Sequence, residues 1–258
     1  MGETLTIGIL GGMGPEATNR LCALVTAATP ARTDQEHVPV ITYNNPRIPD
    51  RVAGVYGGGE SPVPELRRTA RVLEDAGADL LVMPCNLAHF FISEIQTAVR
   101  VPVLDLIEET VRFVVGQHPR ARVAGLLAST PTIGSGLYGD AFGRHGVTVI
   151  APRDEEQQAL VMRAVYGPEG IKGGGKERPR ALLRDAARSL ADAGAEVVIA
   201  GCTEIPLVLT REDVSVPLVD PLEVVARVAV RLALPGGVSE DSVSVREVTS
   251  HAGGEGVG

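Results

Sequence analysis

Two hydrophobic periods alternate along the chain. Short, nearly continuous apolar runs at 4–10, 38–43, 79–83, 101–104, 122–127 and 147–150 read as strands buried on both faces. Between them, at 16–28, 64–76, 106–115, 155–165 and finally 222–232, apolar residues recur every three or four positions, as on the buried stripe of a helix. Strands and helices in alternation predict an α/β fold with a mainly parallel sheet flanked by helices. Gly11-Gly12-Met13-Gly14-Pro15 joins the first strand to the first helix, with proline in the helix's first turn. Asn44 to Arg51 carries turn chemistry that a helix would not tolerate.

An internal repeat organises these elements. Residues 67–85, RRTARVLEDAGADLLVMPC, align without a gap on residues 184–202, RDAARSLADAGAEVVIAGC, with nine of nineteen positions identical. Val101-Pro102-Val103-Leu104-Asp105 is then echoed by Val216-Pro217-Leu218-Val219-Asp220. The chain therefore reads as two pseudo-symmetric α/β domains, 1–116 plus about 216–234 and 117–215, with helix 222–232 returning to the first. After Pro235 the composition turns to Gly, Ser, Glu and Val, and 236–258 reads as a flexible tail. Ligands of open parallel sheets bind beyond the carboxyl ends of the strands. Each repeat has a cysteine there, so halves that face one another would bring Cys85 and Cys202 into one interdomain cleft from opposite sides. Two opposed thiols suit the removal of a proton from one face of a carbon and its delivery to the other. Cys22, inside the first helix, reads as packing.

Composition narrows the remaining classes. Of 258 residues 44% are hydrophobic, but only 3% are aromatic and none is Trp, so the core is built from Leu, Val, Ile and Ala. With 24 basic and 32 acidic side chains the formal net charge is −8, and without Lys/Arg runs this argues against a nucleic-acid partner. No apolar stretch approaches the roughly 20 residues of a membrane span. Three cysteines without C-x-x-C spacing suggest neither disulfides nor zinc, and a reducing cytoplasm fits them. Gly8-x-x-Gly11-Gly12-x-Gly14 lacks dinucleotide spacing, and Gly170-x-x-x-x-Gly175-Lys176 lacks the Ser/Thr and preceding strand of a phosphate loop. No cofactor is expected; the second motif reads as a loop beside the cleft. His89 fits either a helix terminus or a group tuning Cys85, and no partner at ligand spacing makes it a metal site.

Gly11-Gly12-Met13-Gly14-Pro15-Glu16-Ala17-Thr18, Pro49-Asp50-Arg51, Met83-Pro84-Cys85-Asn86-Leu87-Ala88-His89 and Gly201-Cys202-Thr203-Glu204-Ile205-Pro206-Leu207 together resemble the aspartate racemase branch of the aspartate/glutamate/hydantoin racemase superfamily, over about 5–234. The resemblance implies a cofactor-independent amino-acid racemase with two homologous domains, commonly a homodimer. It makes Cys85 and Cys202 the catalytic acid/base pair. Arg51 and Lys172 would hold the side-chain carboxylate of a small acidic amino acid, and Met13 and Gly14 would line the cleft. Asn86 and Thr203 would bind the α-amino and α-carboxylate groups, with hydroxyls from Thr130 and Thr132. Glu204 stands where glutamate racemases carry histidine, which speaks for the aspartate type.

One position departs from the family pattern: Leu87 replaces a threonine. Losing a charge-assisted hydrogen bond costs about 1.5–3 kcal/mol. Two alternatives therefore accompany the racemase reading: a related enzyme that decarboxylates or isomerises another small dicarboxylate, and an impaired paralogue that only binds one.

Overall fold

The computed structural model describes residues 3–236; the expected tail, apart from Gly236, lies outside the described residues. The first half runs β1 (Ile7–Gly11), α1 (Pro15–Ala28), β2 (Val40–Asn44), α2 (Arg51–Tyr56), α3 (Val63–Asp75), β3 (Leu80–Val82), α4 (Ile92–Gln96) and α5 (Leu106–Gln117). The second runs β4 (Val123–Leu127), α6 (Thr130–Gly134), α7 (Leu137–Gly143), β5 (Thr148–Ile150) and α8 (Asp154–Glu156). A π-helical stretch, Gln157–Met162, leads on into α9 (Arg163–Tyr166), then α10 (Glu177–Asp192), β6 (Val197–Ala200), β7 (Leu218–Val219) and α11 (Pro221–Ala233). All strand pairs are parallel, in the orders β2-β1-β3 and β5-β4-β6-β7.

The two sheets repeat the same construction. Residues 101–104, expected as a strand, make only one parallel bridge, Leu81 to Val103, beside β3, where β7 stands beside β6 in the other half. Pro102 has no N–H to extend the ladder. Its carbonyl accepts from Leu81 at 2.8 Å, and the Pro217 carbonyl accepts from Val198 at 2.9 Å. Asp79 receives the Thr6 amide on its carboxylate at 2.8 Å, and Glu196 receives that of Val123 at 3.0 Å. Asp105 and Asp220 close the repeat as side-chain caps of α5 and α11.

Alternate strand residues divide between the sheet faces, as period-two geometry requires. Ile7, Ile9, Leu80 and Val82 of one sheet and Ala124, Leu126, Val197 and Ile199 of the other enter a single core with α1, α5, α7 and α11. The two outer faces are covered separately. Leu81 and Met83 meet α3 and α4, and Val198 and Ala200 meet α9 and α10. α11 packs on α1 and α5, the Leu5 amide bonds the Ala233 carbonyl at 2.8 Å, and Arg20 of α1 pairs with Asp220 at 2.5 Å.

Glycine allows the outer helices to approach closely. A Cβ at Gly8 would stand 2.6 Å from Leu81 Cδ2 and 2.8 Å from the Ala78 Cβ. The corresponding glycine in β4, Gly125, faces Leu190 and Ala195 in the same manner. Gly8→Ala is expected to destabilise the protein by about 1–3 kcal/mol. Gly116→Ala, with nothing within 4 Å on an exposed turn of α5, is expected to stabilise it by about 0.5–1 kcal/mol. Urea unfolding midpoints of the two variants measure the opposite signs.

Candidate active site

Both repeats deliver a cysteine just past a strand's carboxyl end, Cys85 after β3 and Cys202 after β6. Each is 8% exposed. They line one cavity of about 280 Å³ whose walls come from both halves. Backbone at each site turns at once into a 3-10 segment, Leu87–Phe91 after the first cysteine and Ile205–Leu207 after the second. A backbone amide at each of these turns favours the ionised thiol, that of Ala88 for Cys85 and that of Glu204 for Cys202.

The two thiols differ in their neighbours. Cys202 donates to Glu204 Oε2 at 3.0 Å, which the Thr203 hydroxyl also approaches at 3.3 Å. Glu204 Oε1 forms a short ion pair with Lys172 Nζ. Burial pushes the Cys202 thiol well above its ordinary value, and the Glu204 carboxylate adds to the rise. Burial also raises Cys85, but there the Arg51 guanidinium works in the opposite direction. Burial acts to lower Lys172; the charge and hydrogen bond of Glu204 outweigh it and raise its value. The Lys172 ammonium also lies 5.6 Å from the centre of the Tyr166 ring.

Arg51 begins α2, capped by Asp50, whose Oδ1 accepts from the Val52 and Ala53 amides at 2.7 and 3.1 Å. Its Nη1 is tied to the Ile48 and Pro49 carbonyls at 3.3 and 3.0 Å, while its buried Nε has no partner. Asn86 is buried beside Cys85; its Oδ1 accepts from the Tyr138 hydroxyl at 2.6 Å. His89 bonds the Cys85 carbonyl through Nδ1 at 2.8 Å and accepts the Leu106 amide on Nε2 at 3.1 Å. An accepting Nε2 puts the ring proton on Nδ1. His89 thus joins the Cys85 backbone to the start of α5.

Met13, Arg51, Cys85, Asn86, Leu87, Thr132, Lys172, Cys202, Thr203 and Glu204 all line the cavity. Gly14 lies beneath the Lys172–Glu204 pair: a Cβ there would be 3.4 Å from Glu204 Oε1 and 3.7 Å from Lys172 Nζ. Thr130, expected to add a hydroxyl to the site, is not among the residues lining this cavity; its hydroxyl accepts from Gln157 and Gln158 at 3.3 and 3.1 Å. Ser129 is in the wall instead, because it is the N-cap of α6, with its Oγ 2.9 Å from Thr132 Oγ1. A serine before Thr-Pro at a strand end was a readable cap signal. Tyr166 and Tyr138 reach the site through tertiary packing and carried no such signal.

Among the described residues no group of three His, Cys, Asp or Glu side chains could hold a metal ion, and no helix is long and apolar enough to cross a membrane. Residues 10–229 match the family model described as Asp/Glu/Hydantoin racemase. The chain is 29% identical over 229 residues to the broad specificity amino-acid racemase RacX of Bacillus subtilis, covering 83% of this chain and 92% of that one. Picrophilus torridus aspartate racemase is similar in structure, with a TM-score of 0.74 and 26% identity over 90% of this chain and 94% of that one. An aspartate racemase homologue from Pyrococcus horikoshii OT3 matches with a TM-score of 0.71 and 25% identity, over 88% and 98% of the two chains. Its fold is theirs, two parallel sheets flanked by helices, and the chain belongs to the Asp/Glu/hydantoin racemase family.

Proposed function

We propose that the protein is a cofactor-independent amino-acid racemase in which Cys85 and Cys202 exchange the substrate's α-proton. The observation that carries this reading is the pair of thiols at corresponding strand ends lining one cavity. One cysteine, as thiolate, takes the α-proton from one face. The C–H electron pair moves toward the α-carboxylate as an S–H bond forms, and the other thiol protonates the opposite face. Asn86, Thr203 and the nearby backbone amides are the donors for the charge that develops on the carboxylate.

On this reading the neighbours of each thiol favour different resting states. Cys202 already donates to Glu204 and is the thiol; Cys85, with Arg51 beside it, is the group that ionises first. Because burial still raises Cys85, thiolate is the minor form near neutrality and increases as pH rises. kcat/KM is therefore expected to climb on the alkaline side of neutrality, where it reports ionisation of the free enzyme. A pH–rate profile that is flat, or that rises only below pH 7, contradicts this assignment.

An acidic amino acid is the first expected substrate, with its side-chain carboxylate between Arg51 and Lys172. The bound Glu204 favours a second, wider range. It neutralises Lys172, and Leu87 puts an alkyl group in the wall. The name of the Bacillus relative, a broad specificity racemase, points the same way. Incubation of L-aspartate, L-glutamate, L-alanine and L-lysine in D₂O distinguishes the ranges by α-deuterium uptake and loss of optical purity. Cys85→Ser and Cys202→Ser are each expected to cut racemisation at least about 100-fold (roughly 3 kcal/mol of barrier). Unchanged turnover in either variant defeats the two-thiol reading. Leu87→Thr is expected to raise kcat/KM on L-aspartate about 10- to 100-fold by restoring a charge-assisted hydrogen bond. Parallel assays of the two proteins on L-aspartate measure it.

A further inference from the structure

We propose that Tyr138 is a positioning residue: its phenol holds the Asn86 side-chain amide so that Nδ2 is the atom left to donate to the substrate's α-carboxylate. The inference rests on the racemase reading above and adds to it a residue outside the cavity wall. Tyr138 belongs to α7 of the second half, and Asn86 follows the cysteine of the first, 52 positions away. They are 1% and 3% exposed.

The orientation of the amide follows from chemistry. At 2.6 Å the contact fits an O–H···O bond and is shorter than the usual range of N–H···O bonds. Oδ1 therefore faces the phenol. That leaves Nδ2, buried and without a partner in the protein, at a residue lining the cavity. A buried amide N–H₂ in that position is built for an acceptor supplied from outside. The opposite rotation would aim the carbonyl oxygen at the carboxylate and repel it. Tyr138 cannot readily release the amide, since its ring stacks on Phe142 with centroids 6.3 Å apart. Burial pushes the phenol well above its ordinary value, against a hydrogen bond with the Thr110 side chain that favours the ionised form, so the hydroxyl keeps the proton it donates to Asn86. Asn86 thus receives its orientation from the opposite half of the molecule, and its donors are set before substrate arrives.

Tyr138→Phe keeps the ring and removes only the hydroxyl. On whichever of L-aspartate, L-glutamate, L-alanine or L-lysine the wild type exchanges fastest in D₂O, kcat/KM is expected to fall about tenfold, and the unfolding midpoint is expected to fall as well, because Asn86 Oδ1 is left buried without its donor. In an Asn86→Ala background the same change is expected to have no further effect on kcat/KM. Equal losses in both backgrounds, or an unchanged single variant, overturn the proposal. A second readout does not depend on turnover. The Asn86 side-chain ¹H–¹⁵N signals of the wild type are expected to shift when L-aspartate or L-alanine is added, and this response should be lost in Tyr138→Phe. A wild-type amide indifferent to both amino acids overturns the inference even if the variant fails to fold. Absence of α-deuterium uptake from every amino acid with an intact amide response defeats the racemase reading alone.

Discussion

Both sheets pack on the same apolar layer, and the position of the cavity depends on that sharing. α1, α5, α7 and α11 contribute to one core with the inner faces of both sheets. Neither sheet can turn relative to the other without opening contacts to this layer, and close-packed interiors resist such gaps. The strand ends carrying Cys85 and Cys202 are consequently held on a common cavity by residues remote from it. α11 strengthens the arrangement, because it follows β7 of the second sheet yet packs on α1 and α5. The Arg20–Asp220 pair joins the cap of α11 to α1, and a buried pair of this kind fixes relative position more than it adds stability.

Symmetry in the backbone does not extend to the charges. The repeat gives each half a cysteine, but only Cys202 has a carboxylate two residues on, and only Cys85 has a guanidinium acting on it as the foremost opposing influence. Because both thiols are buried, such differences act strongly on them. The same fold element therefore yields a group disposed to hold its proton and another more ready to lose it. Lys172 belongs to this balance as much as to any ligand, since its charge is shared with Glu204. Two cations, Arg51 and Lys172, share the cavity with two carboxylates, Asp50 and Glu204, and with both thiols.

The sequence displayed the parts of the molecule that recur or that obey a period. Gly8 and Gly125, Asp79 and Glu196, Pro102 and Pro217, and the two cysteines occupy matching places because each repeat must solve the same packing problem. The short helices α2, α6 and α7 escaped the periodic reading, for five to seven residues are too few to show a stripe. Residues 101–104 had a strand's composition but only one bridge's worth of pairing, whereas β7 pairs with β6 after the matching Pro217. Thr130 and Ser129 differ by one place, and the capping requirement of α6 decided which of them faced the cavity. Long-range pairs were invisible for a different reason: Lys172 meets Glu204 across 32 positions and Tyr138 meets Asn86 across 52. No local pattern records them.

Those long-range pairs explain how a shared scaffold can carry different substrates. The wall made by backbone, namely the glycine turn before α1 and the 3-10 starts after each cysteine, is dictated by the fold and offers peptide groups that are the same whatever the side chains. On the racemase reading, discrimination comes from side chains such as Leu87, Arg51 and Lys172, and the two charged ones are each held by other residues. Arg51 is anchored through two backbone carbonyls, which leaves its buried Nε as a donor without a partner in the protein. Lys172 is held by Glu204, so that changing either alters both the charge and the position of the other. Leu87 has no polar atom to be held and acts by volume alone. A threonine at that site could exchange a hydrogen bond with substrate, whereas leucine only shapes the space. If the racemase reading holds, recognition at this wall passes from a directed bond to fit, and fit discriminates among related substrates less sharply than a buried hydrogen bond.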